Sequence, residues 1–388
     1  MKKDWTYKKL GEVGTVVTGS TPSTKDNMNY SSQDVCFFKP SDLSSDALVK
    51  LSKSEFYISK HAFEHSRKLP KGSVLTTCIG IIGKVGILTE EATCNQQINA
   101  IIPNPDIITS NFLGYSIMSK KHVLQAIANA PVVPLLNKTQ FSNFSIPIPP
   151  LSIQHSIVSE LDLLHSVIEK KQEQLRALDN LAQSLFYQMF GDPITNPMGW
   201  EIKKLGEVGI FERGKGISKN DFVEDGAPCV HYGQLHTAFG AYTTKHLSCI
   251  SESLIDNPRI AHTGDVLLAL TSEDVEGSCK STAWLGDYDI IVGSDAAVYH
   301  HTQDGMYISF YTRTEAFYKQ KEKYAHGFKV THISTKDIET FIIPLPPLSL
   351  QQSFAAKVSA IEAQKQAITQ SIKDVESLLA QRMDHYFG

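Results

Sequence analysis

Three carboxylates and one lysine lie close together in a single stretch of the chain: Glu273, Asp274, Glu276 and Lys280. Such a group resembles part of a metal-dependent nuclease site, where carboxylates converge on a metal that activates water for phosphodiester hydrolysis. The neighbouring residues are rich in serine and glycine, which favours a solvent-exposed loop. The pattern therefore predicts a loop rather than a hydrolytic centre.

Residues 80–85, GIIGKV, share some features with a phosphate-binding loop. That loop needs four residues between its two glycines, and a Ser or Thr after the lysine to bind magnesium. Only two residues separate Gly80 from Gly83, and Val85 follows Lys84. The segment is therefore predicted to form a tight turn between strands.

Motifs for cofactors and metals are equally incomplete. Residues 211–216, FERGKG, lack a dinucleotide-type glycine pattern, and residues 256–259, DNPR, differ from the Asn-Pro-Pro-aromatic motif of amino-methyltransferases. The 14 histidines show no metal-binding spacing, and Cys229 and His231 have no second pair of ligands. The sequence indicates binding without catalysis, with no cofactor and no metal in this chain.

The net charge limits the kind of binding that is possible. A formal charge of −4 over 388 residues is unlike that of a simple basic DNA-binding protein. DNA contacts would depend on local positive clusters in residues 2–9, 120–122 and 319–329, which could equally be solvated surface lysines. The chain has no apolar run that could span a bilayer, no signal peptide and only scattered cysteines, so we expect a reduced, cytoplasmic protein.

An internal repeat gives the strongest signal in the sequence. Residues 5–14, WTYKKLGEVG, recur as WEIKKLGEVG at 200–209, and residues 146–154, IPIPPLSIQ, recur as IPLPPLSLQ at 343–351. Phe190-Gly191 recurs as Phe387-Gly388. Between these matching ends, residues 15–145 and 210–342 share only faint similarity. The chain is therefore a duplicated unit with two divergent middles.

Each copy ends in a segment with a heptad pattern. From Ile157 to Met189, apolar residues recur in steps of four and three, broken at Lys171; the second copy keeps the same phase and is broken at Lys365 and Arg382. Such a pattern predicts two long coiled-coil helices, over 151–191 and 348–388. Ser152 is a candidate N-cap, and Ser349 with Gln352 matches a capping box. The helices could pair with each other or each could pack on its own domain; equal phase and length favour pairing.

The divergent middles have the pattern of mixed α/β domains, which we place at residues 1–150 and 192–347. Strands are predicted in residues 72–77, 98–102, 264–270 and 289–292, with helices in 120–130 and 307–324. The predicted fold class is α+β, with two mixed α/β domains separated by two long antiparallel coiled-coil helices and related by an internal pseudo-twofold repeat.

This ordered combination of motifs resembles the specificity subunits of type I restriction-modification enzymes over essentially the whole chain. Residues 80–86, GIIGKVG, and 94–98, CNQQI, also look like the interior of a target recognition domain of that family. The second copy departs from it, with TSEDVEG at 271–277. The two target recognition domains would therefore belong to different subtypes.

The resemblance implies a non-catalytic DNA-recognition protein. Each target recognition domain would recognise one half of a bipartite, asymmetric site in double-stranded DNA, with the helices fixing the spacing. Two methyltransferase (modification) subunits carrying S-adenosylmethionine, and restriction subunits that use ATP and Mg for translocation and cleavage, would be its partners.

DNA contacts require polar and cationic side chains that can reach base edges and phosphates. In the first domain the candidates are Thr18, Gly19, Ser20, Thr21, Lys39, Ser41, Gly83, Lys84, Gln96, Asn137 and Lys138. In the second domain they are Arg213, Lys215, His231, Tyr232, Gln234, Ser272, His326 and Lys329. The predicted core of the helix interface is Leu164, Ile168, Leu175, Leu178, Ile361, Ile368, Ile372 and Val375.

Two other functions remain open at this point. The chain could be a single-chain restriction nuclease or methyltransferase with an unrecognised site, which would modify or cut DNA alone. It could also be a coiled-coil adaptor that does not bind DNA. Such a protein would not change the gel mobility of DNA, even with a methyltransferase present.

Overall fold

The computed structural model of the chain describes residues 5–128, 134–254, 256–324 and 331–388. The chain forms two compact units, one of Met1–Glu173 with Thr369–Gly388 and the other of Gln174–Ile368. Each unit combines one mixed α/β domain with parts of two long helices. Segments that are distant in the sequence therefore fold together in the first unit.

The first unit contains ten strands and five short helices among the residues described. Its strands are β1 (Thr6–Lys9), β2 (Gly14–Thr18), β3 (Val35–Phe38), β4 (Val49–Leu51), β5 (Tyr57–Ile58), β6 (Val74–Thr77), β7 (Val85–Leu88), β8 (Thr93–Cys94), β9 (Ile98–Pro103) and β10 (Ser145–Ile148). Its short helices are α1 (Leu10–Val13), α2 (Lys60–Glu64), α3 (Ser110–Ser119), α4 (Lys121–Ile127) and α5 (Lys138–Ser142), with 3₁₀ turns at Asn27–Tyr30 and Pro40–Asp42.

A five-stranded sheet of order β2-β9-β6-β7-β4 forms the centre of the first unit. Neighbouring strands are antiparallel except β4 and β7, which are parallel. A second sheet has the order β5-β3-β8, and β1 pairs with β10. Strands β6 and β7 are completely buried, since the sheet is covered on both faces.

The second unit repeats this plan with more strands. Its strands are β11 (Glu201–Lys204), β12 (Gly209–Arg213), β13 (Phe222–Val223), β14 (Ala227–Val230), β15 (Tyr242–Thr243), β16 (Ser248–Ile250), β17 (Ile260–Ala261), β18 (Val266–Ala269), β19 (Thr271–Ser272), β20 (Ser281–Trp284), β21 (Ile290–Val292), β22 (Ala296–His301), β23 (Thr331–His332) and β24 (Ile342–Leu345). Its short helices are α7 (Leu205–Val208), α8 (Tyr232–Thr237), α9 (Gly305–Tyr311), α10 (Glu315–Lys321) and α11 (Thr335–Ile338), with a 3₁₀ turn at Lys219–Asp221.

The central sheet of the second unit has the order β12-β22-β18-β20-β15, again with only its last pair, β15 and β20, parallel. Strand by strand, this matches β2-β9-β6-β7-β4 in the first unit. The other sheet, β13-β16-β14-β21-β17, is larger than its counterpart. The middles that diverge in sequence therefore keep one sheet topology, which confirms the internal repeat at the level of the fold.

The four predicted strands are confirmed by β6, β9, β18 and β21. The helix predicted for 307–324 is wrong in one respect: it is two helices, α9 and α10. Thr312 closes α9 and Thr314 caps α10, accepting a hydrogen bond from Phe317 N–H. The helix predicted for 120–130 is shorter within the residues described, at Lys121–Ile127.

The two long helices are α6 (Leu151–Phe190) and α12 (Leu348–Phe387), each of 40 residues. Both begin directly after a Pro-Pro pair. The carbonyl of Pro150 accepts from Gln154 N–H, and that of Pro347 accepts from Gln351 N–H. The predicted caps are therefore wrong, because Ser152 and Ser349 are already the second residues of their helices and Gln352 is an exposed residue inside α12.

The helices contact each other and run antiparallel. In the first unit the Tyr386 hydroxyl donates to Glu160 Oε2 at 2.5 Å and Arg382 Nε lies 2.8 Å from Glu160 Oε1. In the second unit Lys365 Nζ lies 2.6 Å from Asp179 Oδ1. Residues with higher numbers on α6 thus contact residues with lower numbers on α12, as antiparallel helices do. Lys365 and Arg382, which interrupt the heptads, both pair with carboxylates of the opposite helix.

The two long helices pair with each other and also pack against the mixed α/β domains. The core of the first unit takes Ile157 and Leu161 of α6 together with Phe387 of α12. The core of the second unit takes Phe186 and Phe190 of α6 with Phe354, Val358 and Ile361 of α12. Each core therefore contains one end of each helix, and the two packing modes that the sequence left open occur together.

The repeated Phe-Gly motif is explained by these cores. The ring of Phe190, at the end of α6, lies 4.8 Å from that of Tyr307 on α9. The ring of Phe387, at the end of α12, lies 5.3 Å from that of Phe112 on α3. Both phenylalanines are almost completely buried, so each helix ends in the core of the unit in which it did not begin.

The glutamine of each repeated PPLSxQ motif fixes the start of its helix. Gln154 is fully buried; its amide accepts from Thr109 N–H and donates to the carbonyls of Ile107 and Pro149. Gln351 makes the equivalent bonds, accepting from Asp304 N–H and donating to Pro346 O and Gln303 Oε1. Buried backbone groups need such partners, which accounts for the repetition of this residue.

Candidate nucleic-acid interface

One edge of the central sheet gathers most candidate residues of the first unit. Strands β2 and β6 both end there, while β7 and β9 begin there, because β2 and β6 are each antiparallel to β9. The turns 19–21, 78–84 and 95–97 therefore share this edge, which we call the first recognition edge. It contains Thr18, Gly19, Ser20, Thr21, Gly83, Lys84 and Gln96.

The turn after β2 is held by hydrogen bonds. Ser20 N–H donates to the carbonyl of Cys94, and the Thr21 hydroxyl donates to Gln96 Oε1 at 2.5 Å. A Cβ on Gly19 would lie 2.1 Å from the carbonyl oxygen of Asn95. Gly19 therefore allows two backbones to approach closely, and it could contact a ligand only through its backbone. Thr21 and Gln96 are exposed.

The turn between β6 and β7 is rigid. Gly80 and Gly83 have φ of +74° and +87°, which favours glycine. The Thr77 hydroxyl donates to the carbonyl of Ile81 at 2.6 Å and accepts from Lys84 N–H at 3.0 Å. The tight turn predicted between strands is confirmed, and Gly83 serves the turn itself.

Lys39, Ser41 and Lys84 line one depression of about 510 Å³ at this edge. Lys84 Nζ donates to the carbonyl of Pro40 at 3.3 Å, and Lys39 Nζ lies 3.1 Å from the centre of the Phe56 ring. A cation held over an aromatic face keeps its charge at the surface. These lysines provide local positive charge in a chain whose net charge is −4.

Asn137 and Lys138 lie beside the same edge, because Leu136 N–H donates to the carbonyl of Cys78 at 2.9 Å. Both side chains are exposed. The Asn137 side chain accepts from Gln140 N–H at 2.9 Å and so caps α5. Because Asn137 is used as a helix cap, the Lys138 ammonium group is the better candidate for a phosphate contact.

Two further groups at this edge escaped the sequence analysis. Arg67 donates a hydrogen bond to the carbonyl of Thr18, which places an exposed guanidinium next to the turn after β2. Ile81 is 62% exposed. Arg67 lies in no motif, and the motif GIIGKVG at 80–86 does not indicate that Ile81 is the exposed isoleucine.

The second unit has the equivalent edge, where β12 ends and β22 begins. Arg213, the last residue of β12, pairs with Asp295 at 3.1 Å, and Lys215 Nζ donates to the carbonyl of Asn257 at 3.2 Å. A Cβ on Gly214 would lie 2.1 Å from the carbonyl oxygen of Gly293. Gly214 thus repeats the packing of Gly19.

His231 and Gln234 have structural roles at this second recognition edge. His231 is 7% exposed, and its Nδ1 accepts from Gly233 N–H at the start of α8. Gln234 Oε1 accepts from His231 N–H, while its amide nitrogen donates to Ser248. His231 Nδ1 and Gln234 Oε1 are therefore used to hold the start of α8. Burial lowers the pKa of His231, which favours its neutral form. Tyr232 is half-buried beside them.

The segment 271–280 joins β18 to β20 at this edge; it begins with β19, which contains Ser272, and continues as a loop. The buried Lys321 donates from Nζ to the carbonyls of Glu276 and Ser278 at 2.6 and 2.7 Å. Lys280 Nζ donates to the carbonyl of His236 at 2.6 Å. Two lysines therefore fix the loop. His326 and Lys329 lie outside the described residues.

The carboxylates of this loop do not converge. Glu273, Asp274 and Glu276 are exposed, and Asp274 accepts from Gly277 N–H within the loop. Among the residues that the structure describes, no group of three or more His, Cys, Asp or Glu side chains could hold a metal ion. Cys229 is fully buried and lies against the hydroxyl of Ser248. The three carboxylates therefore lie on a solvent-exposed loop, as the sequence predicts.

All eight predicted interface residues of the long helices are buried or half-buried. Ile168, Ile361 and Ile372 are buried; the remaining five are half-buried: Leu164, Leu175, Leu178, Ile368 and Val375.

No helix in the described part of the chain is long and apolar enough to cross a membrane.

Comparison with known proteins places this architecture in a family. The family model of the type I restriction modification DNA specificity domain matches residues 2–178 and again 197–377. The chain belongs to this family, and it carries two copies of the domain.

Two curated relatives come from Methanocaldococcus jannaschii. The type I restriction enzyme MjaIX specificity subunit is 31% identical over 244 residues, which cover 58% of this chain and 56% of that protein. The MjaVIII specificity subunit is 24% identical over 328 residues, covering 77% of this chain and 74% of that protein. The chain thus spans little more than half the length of the first relative.

Solved structures share the fold. A chain from a study of assembly and conformational transition in a type I R-M system matches with a TM-score of 0.61 at 19% identity, covering 99% of this chain and 97% of that chain. The S subunit from M. genitalium matches with a TM-score of 0.54 at 12% identity, covering 98% and 96%. These likenesses agree with two mixed domains and long helices in one chain.

Proposed function

We propose that this protein is the DNA-recognition subunit of a type I restriction-modification complex and that each recognition edge binds one half of a bipartite site in double-stranded DNA. The observation that carries the proposal is the pair of sheets with identical strand order whose edges differ in their side chains. One fold thus offers two different sets of polar groups, as an asymmetric site requires.

The chemistry would reside on other subunits. Two methyltransferase subunits would carry S-adenosylmethionine, and restriction subunits would use ATP and Mg, in the cytoplasm. In support, the repeated heads expose an apolar residue at the same place in each copy: Tyr7 on β1 is 66% exposed and Ile202 on β11 is 49% exposed. Two equivalent surfaces suit two copies of one partner.

The helix pair would set the spacing between the half-sites. An α-helix of 40 residues is roughly 60 Å long at 1.5 Å per residue. Shared cores at the helix ends, and ion pairs between the helices, would make this spacing element stiff. Half-sites about one DNA turn apart present the same face of the duplex.

The test is to co-express the chain with its methyltransferase subunits and to map the methylated sites. Gln96→Ala should relax one half of the consensus only, and Arg213→Ala only the other half, because each lies on a different recognition edge. Lys71→Ala is the control, since this exposed lysine precedes β6 at the opposite end of the sheet. A consensus that changes in both halves, or in neither, would contradict the proposal.

The alternatives give different results in the same system. Methylation or cleavage by this chain alone, with DNA, magnesium, S-adenosylmethionine and ATP, would indicate an enzyme. No DNA binding even with the methyltransferase present would indicate an adaptor.

A further inference from the structure

We propose that Ile81 recognises a thymine in the first half-site by contact with its C5 methyl group. The inference rests on the proposed function, since it assigns one base contact to the first recognition edge. Ile81 is 62% exposed, whereas its neighbour Ile82 is 1% exposed and packs in the core of the unit.

The backbone around Ile81 is held by hydrogen bonds on both sides, which fixes where its side chain leaves the turn. Gly80 N–H donates to the carbonyl of Pro134 at 3.1 Å, and Gly83 N–H donates to that of Thr77 at 3.0 Å. The Ile81 carbonyl itself accepts from the Thr77 hydroxyl. An anchored turn spares the entropy cost of ordering a loop upon binding.

A single exposed isoleucine is unremarkable on most surfaces. Here it lines the same depression as Lys39, Lys84, Glu55 and Phe56, and Phe56 is itself 39% exposed. Two lysines against the one carboxylate of Glu55 leave this lining net positive, which suits phosphate groups, and the apolar side chains of Ile81 and Phe56 suit an apolar group on the same ligand. Base edges in the major groove offer one such group, the methyl of thymine.

The corresponding loop of the second unit, all of whose residues are described, has no equally exposed apolar side chain. This loop, between β18 and β20, exposes Glu273, Asp274 and Glu276, while Val275 is only half-exposed. The thymine contact therefore belongs to the half-site bound by the first unit alone. This asymmetry is what makes the inference testable within one site.

The experiment uses the chain in complex with its methyltransferase subunits and duplexes that carry the mapped site. Each thymine is replaced in turn by deoxyuridine, which removes only the methyl group, and Kd is measured at one salt concentration. Burying one such group is worth about 0.8 kcal/mol, or about fourfold in Kd. One substitution in the first half-site should weaken wild-type binding about fourfold.

Ile81→Ala should bind the thymine duplex about fourfold more weakly than wild type and should no longer distinguish it from the deoxyuridine duplex. Ile81→Val should retain part of the distinction. Ile210→Ala is the control, because Ile210 is 68% exposed on β12 outside the turn. Thermal unfolding of Ile81→Ala should match wild type, since the residue is exposed.

Several results would overturn the inference while leaving the proposed function intact. These are equal binding of all thymine and deoxyuridine duplexes by wild type, a half-site without thymine, or a thymine preference that survives Ile81→Ala. A loss that is the same on every duplex would instead assign Ile81 to insertion between bases or to a partner subunit. If the complex shows no sequence-specific binding, the proposed function fails and the inference fails with it.

Discussion

Lys365 Nζ on α12 lies 2.6 Å from Asp179 Oδ1 on α6, and 2.8 Å from Glu362 Oε1 one turn away on its own helix. Lys365 occupies a heptad position that would otherwise be apolar. Burial opposes its charge, but the two carboxylates together raise the pKa of Lys365 above its ordinary value. The ion pairs with Asp179 and Glu362 therefore more than offset the cost of burying the Lys365 charge.

Lys365→Met should therefore lower the free energy of unfolding by about 1 kcal/mol or less at low salt, because it keeps the aliphatic stem and removes the ion pairs. The difference from wild type should shrink at high salt, where exposed charges are screened. Urea unfolding at two salt concentrations measures both effects. Lys357→Met, at an exposed position of the same helix, is the matched control. An equal loss at both salt concentrations would attribute the effect to packing.

Leu175 is half-buried on α6 and belongs to the predicted interface with α12. Leu175→Asp should place a carboxylate among apolar side chains, which is costly when the charge lacks a partner. The complex should then lose its preference for a single spacer length while still binding each half-site weakly. Competition among duplexes with altered spacers measures this preference.

Leu181→Asp is the control for Leu175→Asp, since Leu181 is 50% exposed on the same helix. Retention of the spacer preference by Leu175→Asp would refute the role of the helix pair in spacing the half-sites.

The long helices could be predicted because their signal is local. The heptad spacing from Ile157 onward and the Pro-Pro pairs lie within the helix or next to it. The predicted caps were wrong for a physical reason: the proline carbonyls already accept the first helical hydrogen bonds, so Ser152 and Ser349 fall inside the helices.

The candidate site was harder to predict because it depends on strand neighbours. Polar turns after β2 and before β9 could be found in the sequence, but only the antiparallel pairing brings Thr21 to Gln96. His231 and Gln234 have suitable side chains for base contacts, yet His231 Nδ1 and Gln234 Oε1 are used at the start of α8. Arg67 lies in no motif, and the motif around Ile81 does not show which of its side chains is exposed.

His301, at the end of β22, gives the second unit a predictable dependence on pH. Its Nδ1 accepts from Gln303 N–H, and its buried Nε2 has no hydrogen-bond partner among the residues described. Burial lowers the pKa of His301 to about 4, from an ordinary value of 6.5. Between pH 6.5 and 4, His301 is therefore protonated in the unfolded state and neutral in the folded state.

The stability of the second unit should be complete above pH 6.5 and should fall as the pH drops from 6.5 towards 4. The loss should be about 2 kcal/mol at pH 5. His301→Asn keeps an acceptor for Gln303 N–H and should remove this part of the pH dependence. Urea unfolding followed by the fluorescence of the buried Trp284 measures it. His155→Asn, at an exposed position of α6, is the control, and identical pH profiles of His301→Asn and wild type would contradict the prediction.

Lys84 contributes positive charge to the first recognition edge, and its effect on DNA binding should be independent of sequence. Lys84→Ala should weaken binding to specific and non-specific duplexes by the same factor, because phosphate contacts carry no sequence information. The slope of log K against log salt should fall in magnitude by about one. Titrations over a range of salt concentrations measure the slope, with Lys71→Ala, at the opposite end of the sheet, as the control. An unchanged slope together with a relaxed consensus would instead show that Lys84 contacts a base.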